Sequence, residues 1–224
     1  MERIWVVIAA FQEATVIESV VREVVRHCPR VVVVDDCSND GTGPCAARAG
    51  AHVLRHAINL GQGAALQTGI DYALCQGADA IVTFDADGQH DIRELPWLIE
   101  AQRRSGADCV LGSRFLGHTE NMSRQRRRLL KAATLFTWMT TGMRMSDAHN
   151  GYRLLTAHAS RTIRIRQNRM AHASDIIEQI GRSGLRWVEA PVTVRYTEYS
   201  VAKGQRSSAA LRIIVDILVG RLRR

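Results

Sequence analysis

Short β-branched runs alternate with helical stretches along the first half of the chain, and each run empties into a polar cluster. Ile4-Trp5-Val6-Val7-Ile8 is too short for a helix and predicts a first strand. Val31-Val32-Val33-Val34 predicts a second, buried on both faces because its apolar run is unbroken. Ile81-Val82-Thr83-Phe84 predicts a central strand that runs straight into Asp85-Ala86-Asp87-Gly88-Gln89-His90. Strand following helix without a break argues for an α/β fold with a mostly parallel sheet. Ligands of such sheets bind at the carboxyl ends of the strands, so the polar clusters should meet on one rim.

The stretches between the strands carry helical periodicity. Val16, Ile17, Val20, Val21, Val24 and Val25 place a helix from about Glu13 to His27, stopped at Cys28-Pro29. The second strand ends in Asp35-Asp36-Cys37-Ser38-Asn39-Asp40-Gly41-Thr42, where Ser38 or Asp40 can cap a helix running to Gly50. A short strand at His52-Val53-Leu54 leads to Asn59-Leu60-Gly61-Gln62-Gly63, which opens a helix through Leu74. Two glycines at a helix start allow close backbone approach and expose N–H groups to an anion. A further helix begins near Asp91, with Glu94 in capping-box spacing, and Cys109-Val110-Leu111 predicts a strand closing on Gly112-Ser113-Arg114.

The second half changes character. Ser123 to Lys131 is a basic cluster, and an apolar helical stretch with Phe136, Trp138 and Met139 follows. Such a helix either packs into the core or rests on an anionic lipid surface, arginines at the headgroups and aromatics at the boundary. Ser146 to Arg153 reads as a polar loop, with helices expected near Leu154–Ile165 and Ser174–Arg182. Trp187 to Val194 reads as an edge strand, because Pro191 lacks a ladder donor. Residues 195–208 form a polar loop, and Leu211, Ile214, Val215, Leu218 and Val219 give the tail an amphipathic, basic helical pattern. The expected organisation is one domain over 1–206 and a C-terminal helix over 207–224.

The 224 residues carry a net charge of +8, almost all from arginine, since Lys131 and Lys203 are the only lysines. The planar guanidinium fork binds phosphate bidentately, so phosphate-rich partners are expected. Nucleic acid is not among them: no binding module is present, and the basic residues are not interleaved with stacking aromatics. Five cysteines without a C-x-x-C pair read as reduced thiols of a cytosolic protein. No secretory leader is legible at the start, and no apolar stretch reaches the ~18 residues that span a bilayer. Asp85 and Asp87, with the amide oxygen of Gln89, form a hard-oxygen set suited to Mg²⁺ or Mn²⁺.

With these segments in place, the chain resembles family 2 glycosyltransferases of the GT-A fold, most closely the dolichyl- or polyprenyl-phosphate mannosyltransferase-like branch. Six motifs in order carry the likeness: Ala9-Ala10-Phe11-Gln12-Glu13, Asp35 to Thr42, Asn59 to Gly63, Asp85 to Gln89, Gly112-Ser113-Arg114, and Asp147-Ala148-His149-Asn150-Gly151-Tyr152-Arg153. The resemblance implies an inverting transferase that uses a nucleotide-sugar donor. Ala9, Phe11, Glu13, Asp35 and Asp36 would hold base and ribose, with Asn59, Gly61, Gln62 and Ala86 also lining the donor site. Asp85, Asp87 and Gln89 would carry the divalent ion on the diphosphate. Arg114, Arg153 and Lys203 would face phosphates, including that of a polyprenyl-phosphate acceptor at the cytoplasmic face of a membrane. A sugar-hydroxyl acceptor, as in cell-surface polysaccharide synthesis, would need a base, for which Asp147 or Asp175 is available. The chain departs from the family in carrying Ala9 and Gln12 where Pro and Asn are usual, and Gln62 where Lys is common. With a single amphipathic helix at its end, it would meet the acceptor on an anionic membrane surface or through a separate membrane protein.

Overall fold

The computed structural model describes residues 3–168, 171–196 and 199. A seven-stranded sheet runs through it in the order β3-β2-β1-β4-β6-β5-β7. The strands are β1 (Ile4–Ala10), β2 (Val31–Asp35), β3 (His52–Arg55), β4 (Ala80–Asp85), β5 (Cys109–Glu120), β6 (Arg153–Thr156) and β7 (Trp187–Arg195). Neighbouring strands are parallel except at β6, which pairs antiparallel with both β4 and β5. The expected mostly parallel α/β sheet is therefore present.

Both faces of the sheet are covered. Val6, Ile8, Val31, Val33, Val82 and Val110 point to one side, where they pack on Ile17, Val21 and Val24 of helix α1 (Ile17–His27) and Leu95 and Leu98 of helix α4 (Leu95–Ser105). Val7, Val32, Val34, Ile81 and Leu111 point to the other, against Leu66 and Ile70 of α3 (Gln62–Cys75) and Ile176, Ile177 and Ile180 of α7 (His172–Arg182). Helix α2 (Thr42–Arg48) follows β2. This double burial is why the strands lack polar alternation.

Three local expectations are corrected. The segment expected to be helical from Leu154 is strand β6 followed by the short helix α6 (Ala157–Thr162). Leu154 and Leu155 fall on opposite faces of the sheet, one in each core, so pairing between β4 and β5 overrides leucine's helical preference. Helix α1 starts at Ile17, because the Glu13 backbone is drawn into the adjacent loop by Thr42 Oγ1, which accepts its N–H at 2.8 Å. After Asp91 the chain makes a 3-10 turn (Ile92–Glu94) before α4, and Glu94 Oε2 accepts the Thr193 N–H rather than closing a capping box. The edge assignment of the Trp187–Val194 segment agrees with the structure, since β7 borders only β5.

Helix α5 (Arg124–Thr141) packs on α7 but buries only Thr137, leaving Leu135, Trp138 and Met139 exposed. The basic tail over 207–224 lies outside the described residues, as does Lys203.

Candidate active site

The topology brings the site together at the carboxyl rim of β1, β2 and β4, level with the middle of β5, which was expected to close on Gly112-Ser113-Arg114 but continues past Arg114 to Glu120 in pairing with β7. Because β6 enters antiparallel, its first residue, Arg153, starts at that same rim, in register with Thr83 and Leu111. The polar loop before β6 therefore sits beside the end of β4. Gly151 O accepts the Thr83 hydroxyl at 2.6 Å, which pins the loop to the strand.

Asp85 ends β4 and Asp87 lies in the turn after it. His90 Nε2 is 2.9 Å from Asp85 Oδ2, and Gln62 Nε2 makes a long 3.5 Å contact to Oδ1. Burial works to raise the Asp85 pKa, but the His90 hydrogen bond and electrostatic attraction from His90, His172 and Arg153 outweigh it and hold the carboxyl below its usual range. Asp87 is pushed up to about 6, first by burial and then by the neighbouring Asp85 charge. Its Oδ1 accepts the Gln89 N–H at 3.0 Å. Two carboxylates held close enough to repel, each with an oxygen outside a close hydrogen bond, fit a hard divalent cation. No three His, Cys, Asp or Glu side chains gather into a closed metal site among the described residues. A cation here would rest on Asp85 and Asp87, with Gln89 and ligand oxygens completing its shell.

Arg153 is 3% exposed and makes no hydrogen bond or ion pair through its side chain among the described residues. Burial lowers its pKa to about 10, opposed by the charges of Asp85 and Asp147, so it stays a cation at neutral pH. Arg114 is in the opposite situation. Its Nε donates to Asp147 Oδ2 at 2.6 Å, one terminal nitrogen to Tyr196 Oη at 2.7 Å and the other to His149 O at 2.9 Å. Asp147 Oδ1 accepts the His149 N–H, and Glu189 accepts from the Ser146 and Asp147 backbone and the Ser146 hydroxyl. Arg114, expected to face a phosphate, and Asp147, expected to be available as a base, instead meet as a satisfied buried pair that shapes the loop leading to Arg153. Asp175 is likewise engaged by Arg166 N, Gln167 N and Gln179 Nε2.

The loops after β1 and β2 are stitched together. Ser38 Oγ accepts from Gln12 N, and Asp40 accepts from Ala14 N and from Thr42. Ala9 is the last β1 residue paired with β4, opposite Asp85, Phe11 is 41% exposed at the rim, and Glu13 is buried and accepts from the Tyr199 hydroxyl at 2.6 Å. Asp35 Oδ1 accepts from Ser38 N, while its buried Oδ2 has no hydrogen-bond partner. Asp36 is 2% exposed and receives His56 Nδ1 at 2.7 Å, Leu60 N at 2.9 Å and Gly61 N at 2.7 Å. Asn59 Nδ2 donates to its carbonyl. The anion at the start of α3 is thus the chain's own Asp36. Gly63 permits close approach, as expected, but to protein: its N–H donates to Asn168 O, and a Cβ would collide with Gln167 O. Ala86 is buried beneath the turn.

Sequence reasoning missed His56, His90, Glu189 and Tyr196. Each acts through a partner 20 or more residues away except His90, which reaches Asp85 five residues back. His90 alone had a local signal, standing at the end of the acidic turn.

The profile of "Glycosyl transferase family 2" matches residues 5–166, and the chain belongs to that family. It is 35% identical over 183 residues to an undecaprenyl-phosphate mannosyltransferase of Micrococcus luteus, covering 77% of this chain and 74% of that protein. It is 31% identical over 215 residues to the polyprenol monophosphomannose synthase of Mycolicibacterium smegmatis, covering 90% and 81%. Its fold matches the glucosyl-3-phosphoglycerate synthase of Mycobacterium tuberculosis, solved with Mn²⁺, UDP-glucose and phosphoglyceric acid. That match has a TM-score of 0.76 at 18% identity over 97% of this chain and 79% of the other. The GT-A fold anticipated from the motifs is therefore the fold of this protein.

Proposed function

We propose that this family 2 transferase moves a sugar, with inversion, from a nucleoside-diphosphate sugar to a polyprenyl phosphate at the cytoplasmic face of a membrane. The observation that carries the acceptor assignment is Arg153: a buried guanidinium without a hydrogen-bond partner among the described residues, in the field of Asp85, one of the two carboxylates that suit a cation. A ligand phosphate satisfies it, and the planar fork is shaped for that contact.

Ala9, Phe11, Glu13, Asp35 and Asp36 line the donor's base and ribose end, and Asn59, Gly61, Gln62 and Ala86 lie between it and the acidic turn. Asp85 and Asp87, with Gln89, would hold Mg²⁺ or Mn²⁺, which would supply charge neutralisation on the departing nucleoside diphosphate. The bond from the sugar's anomeric carbon to the diphosphate oxygen breaks as an acceptor oxygen attacks from the opposite face. Arg153 orients that oxygen, and Lys203 is assigned the same kind of contact by resemblance. Arg114 and Asp147 hold the loop that presents Arg153.

A lipid phosphate is already ionised and needs no general base. A saccharide hydroxyl needs one, and both available carboxylates, Asp147 and Asp175, are engaged in hydrogen bonds that keep them from that work. This favours the phosphate acceptor. No helix among the described residues is long and apolar enough to cross a membrane. Contact with lipid is assigned to α5 and the segment after it, where Lys131, Leu135 and Trp138 of the helix and Arg144 and Met145 beyond it line a depression of about 470 Å³. Basic and apolar groups together suit an anionic leaflet.

The test is a donor panel. GDP-mannose, UDP-glucose and UDP-N-acetylglucosamine are incubated with the protein and Mn²⁺ or Mg²⁺, with and without polyprenyl phosphate. Metal-dependent formation of lipid-linked sugar, lost in Asp87→Ala, is the expected result. Donor hydrolysis without lipid product overturns the acceptor, and no turnover of any donor overturns the activity.

A further inference from the structure

Asp85 is held from two sides by residues that the transfer chemistry itself does not require. On one side, His90 Nε2 lies 2.9 Å from Oδ2, with the His90 side chain 2% exposed. The imidazole is wedged between Phe84 and Tyr152, with ring centroids 5.6 Å and 5.4 Å away. Its Nδ1 is buried with no hydrogen-bond partner. A proton there would be a buried donor with nothing to receive it, whereas a bare acceptor in an aromatic box costs less. The ring therefore carries its proton on Nε2 and donates to Asp85. On the other side stands Gly151. A Cβ at that position would collide with Asp85 Oδ2 and would lie 2.5 Å from Oδ1 and 2.7 Å from Cγ, against the whole carboxylate group, so nothing but glycine leaves room for it.

We propose that His90 and Gly151 are positioning residues for the cation site: His90 occupies Oδ2, Gly151 fixes the carboxylate plane, and Oδ1 is thereby presented to the metal. The inference rests on the assignment of Asp85 and Asp87 as the cation's protein ligands. Its physical basis is the general one for metal sites, in which groups behind the ligand set its orientation and basicity. His90 is also joined to β7 through its backbone bridge to Val194, and Gln89 O accepts the Arg195 N–H. The acidic turn is thus anchored to β7 at its far end and continues β4 at its start, and the Asp85 rotamer is the degree of freedom left for His90 and Gly151 to fix.

The experiment compares Mn²⁺ binding, read by loss of the free-ion EPR signal with and without UDP or GDP, in wild type, Asp87→Ala, His90→Phe, His90→Asn, His90→Gln and Gly151→Ala. Thermal unfolding in chelator accompanies each. His90→Phe fills the aromatic box but has no donor, and His90→Asn has a donor that falls short of Oδ2. His90→Gln fills the box poorly but places an amide N–H at the reach of Nε2. Positioning predicts that Phe, Asn and the Gly151 variant weaken Mn²⁺ by about 10–100-fold while Gln stays near wild type. The reverse order, with Phe binding like wild type and Gln failing, reflects packing alone and overturns the inference while Asp87→Ala still abolishes binding. Wild type that binds no Mn²⁺ under any condition overturns the cation assignment and the inference with it.

Discussion

Arg114 Nε and Asp147 Oδ2 meet at 2.6 Å, with side chains 7% and 1% exposed. Breaking such a pair from one side strands a buried charge, which costs about 3–5 kcal/mol. Asp147→Ala should therefore lower the thermal midpoint by roughly 6–20 °C, at about 2–4 °C per kcal/mol for a chain of this size. Thermal unfolding by circular dichroism measures it. An Asp147 that served only as a proton acceptor would leave the midpoint where it was.

Arg153 gives the opposite sign. Arg153→Met keeps the side chain's bulk and removes a buried charge that has no ion-pair partner among the described residues. The variant should be as stable as the parent or more so, while sugar transfer falls by at least about 100-fold, the scale of losing one preorganised charge contact. Arg153→Lys should restore little, since a point charge does not replace the fork. Paired measurements of midpoint and turnover decide it.

Asp36 should be required for stability as well as for donor binding. Asp36→Ala frees the Leu60 and Gly61 N–H groups and the His56 ring from their acceptor. A donor left unmet costs up to about 1–3 kcal/mol, less where water reaches it, as it does at Leu60. The expected outcome is a fall in midpoint together with faster amide exchange at residues 60 and 61. Unchanged exchange would show that the carboxylate does not hold this loop.

The pH dependence follows from Asp87, whose pKa rises from 3.8 to about 6 on folding. Between those values the folded state keeps a proton that the unfolded state has lost, so this group's contribution to stability falls as pH rises, and the penalty is complete above the folded value. In chelator, Asp87→Asn should be more stable than wild type at about pH 7.5 and equal to it at about pH 4. Mn²⁺ should raise the wild-type midpoint more at about pH 7.5 than at about pH 5, because it must displace the proton at the lower pH.

Helix α5 should bind anionic vesicles in a salt-sensitive way. Trp138→Ser with Met139→Ser removes exposed apolar surface, and Arg127→Gln with Arg128→Gln removes charge. Each basic residue near an anionic leaflet is worth about 1 kcal/mol, so the double charge variant should bind roughly 30-fold less tightly in co-sedimentation. Arg126 is left in place because its guanidinium lies 4.7 Å over the Tyr196 ring. Vesicle binding that is indifferent to salt and to all four changes removes α5 from the membrane contact.

The fold was legible wherever burial dictates pattern. Val31–Val34 and Ile81–Phe84 announce two-sided strands because both faces of the sheet are dry, and the acids that follow them mark the rim. Leu154-Leu155 was not legible: two leucines carry no period, and their strand exists only because a slot between β4 and β5 needed filling. The meaning of Gly63 was similarly hidden, since a glycine at a helix start looks the same whether a phosphate or residues 167–168 press against it.

The sequence by itself determined the α/β sheet, the family motifs and the two carboxylates at the end of β4, because local periodicity and contiguous residue chemistry encode them. Only the tertiary structure decided which charges are spent and which are free. Arg114 and Arg153 are indistinguishable as arginines in a motif, yet one is saturated by Asp147, Tyr196 and His149 and the other faces the site with no such partners among the described residues. Hydrogen-bond satisfaction depends on partners brought together by an antiparallel strand insertion and by loops from distant parts of the chain. Spacing along the sequence does not carry that information.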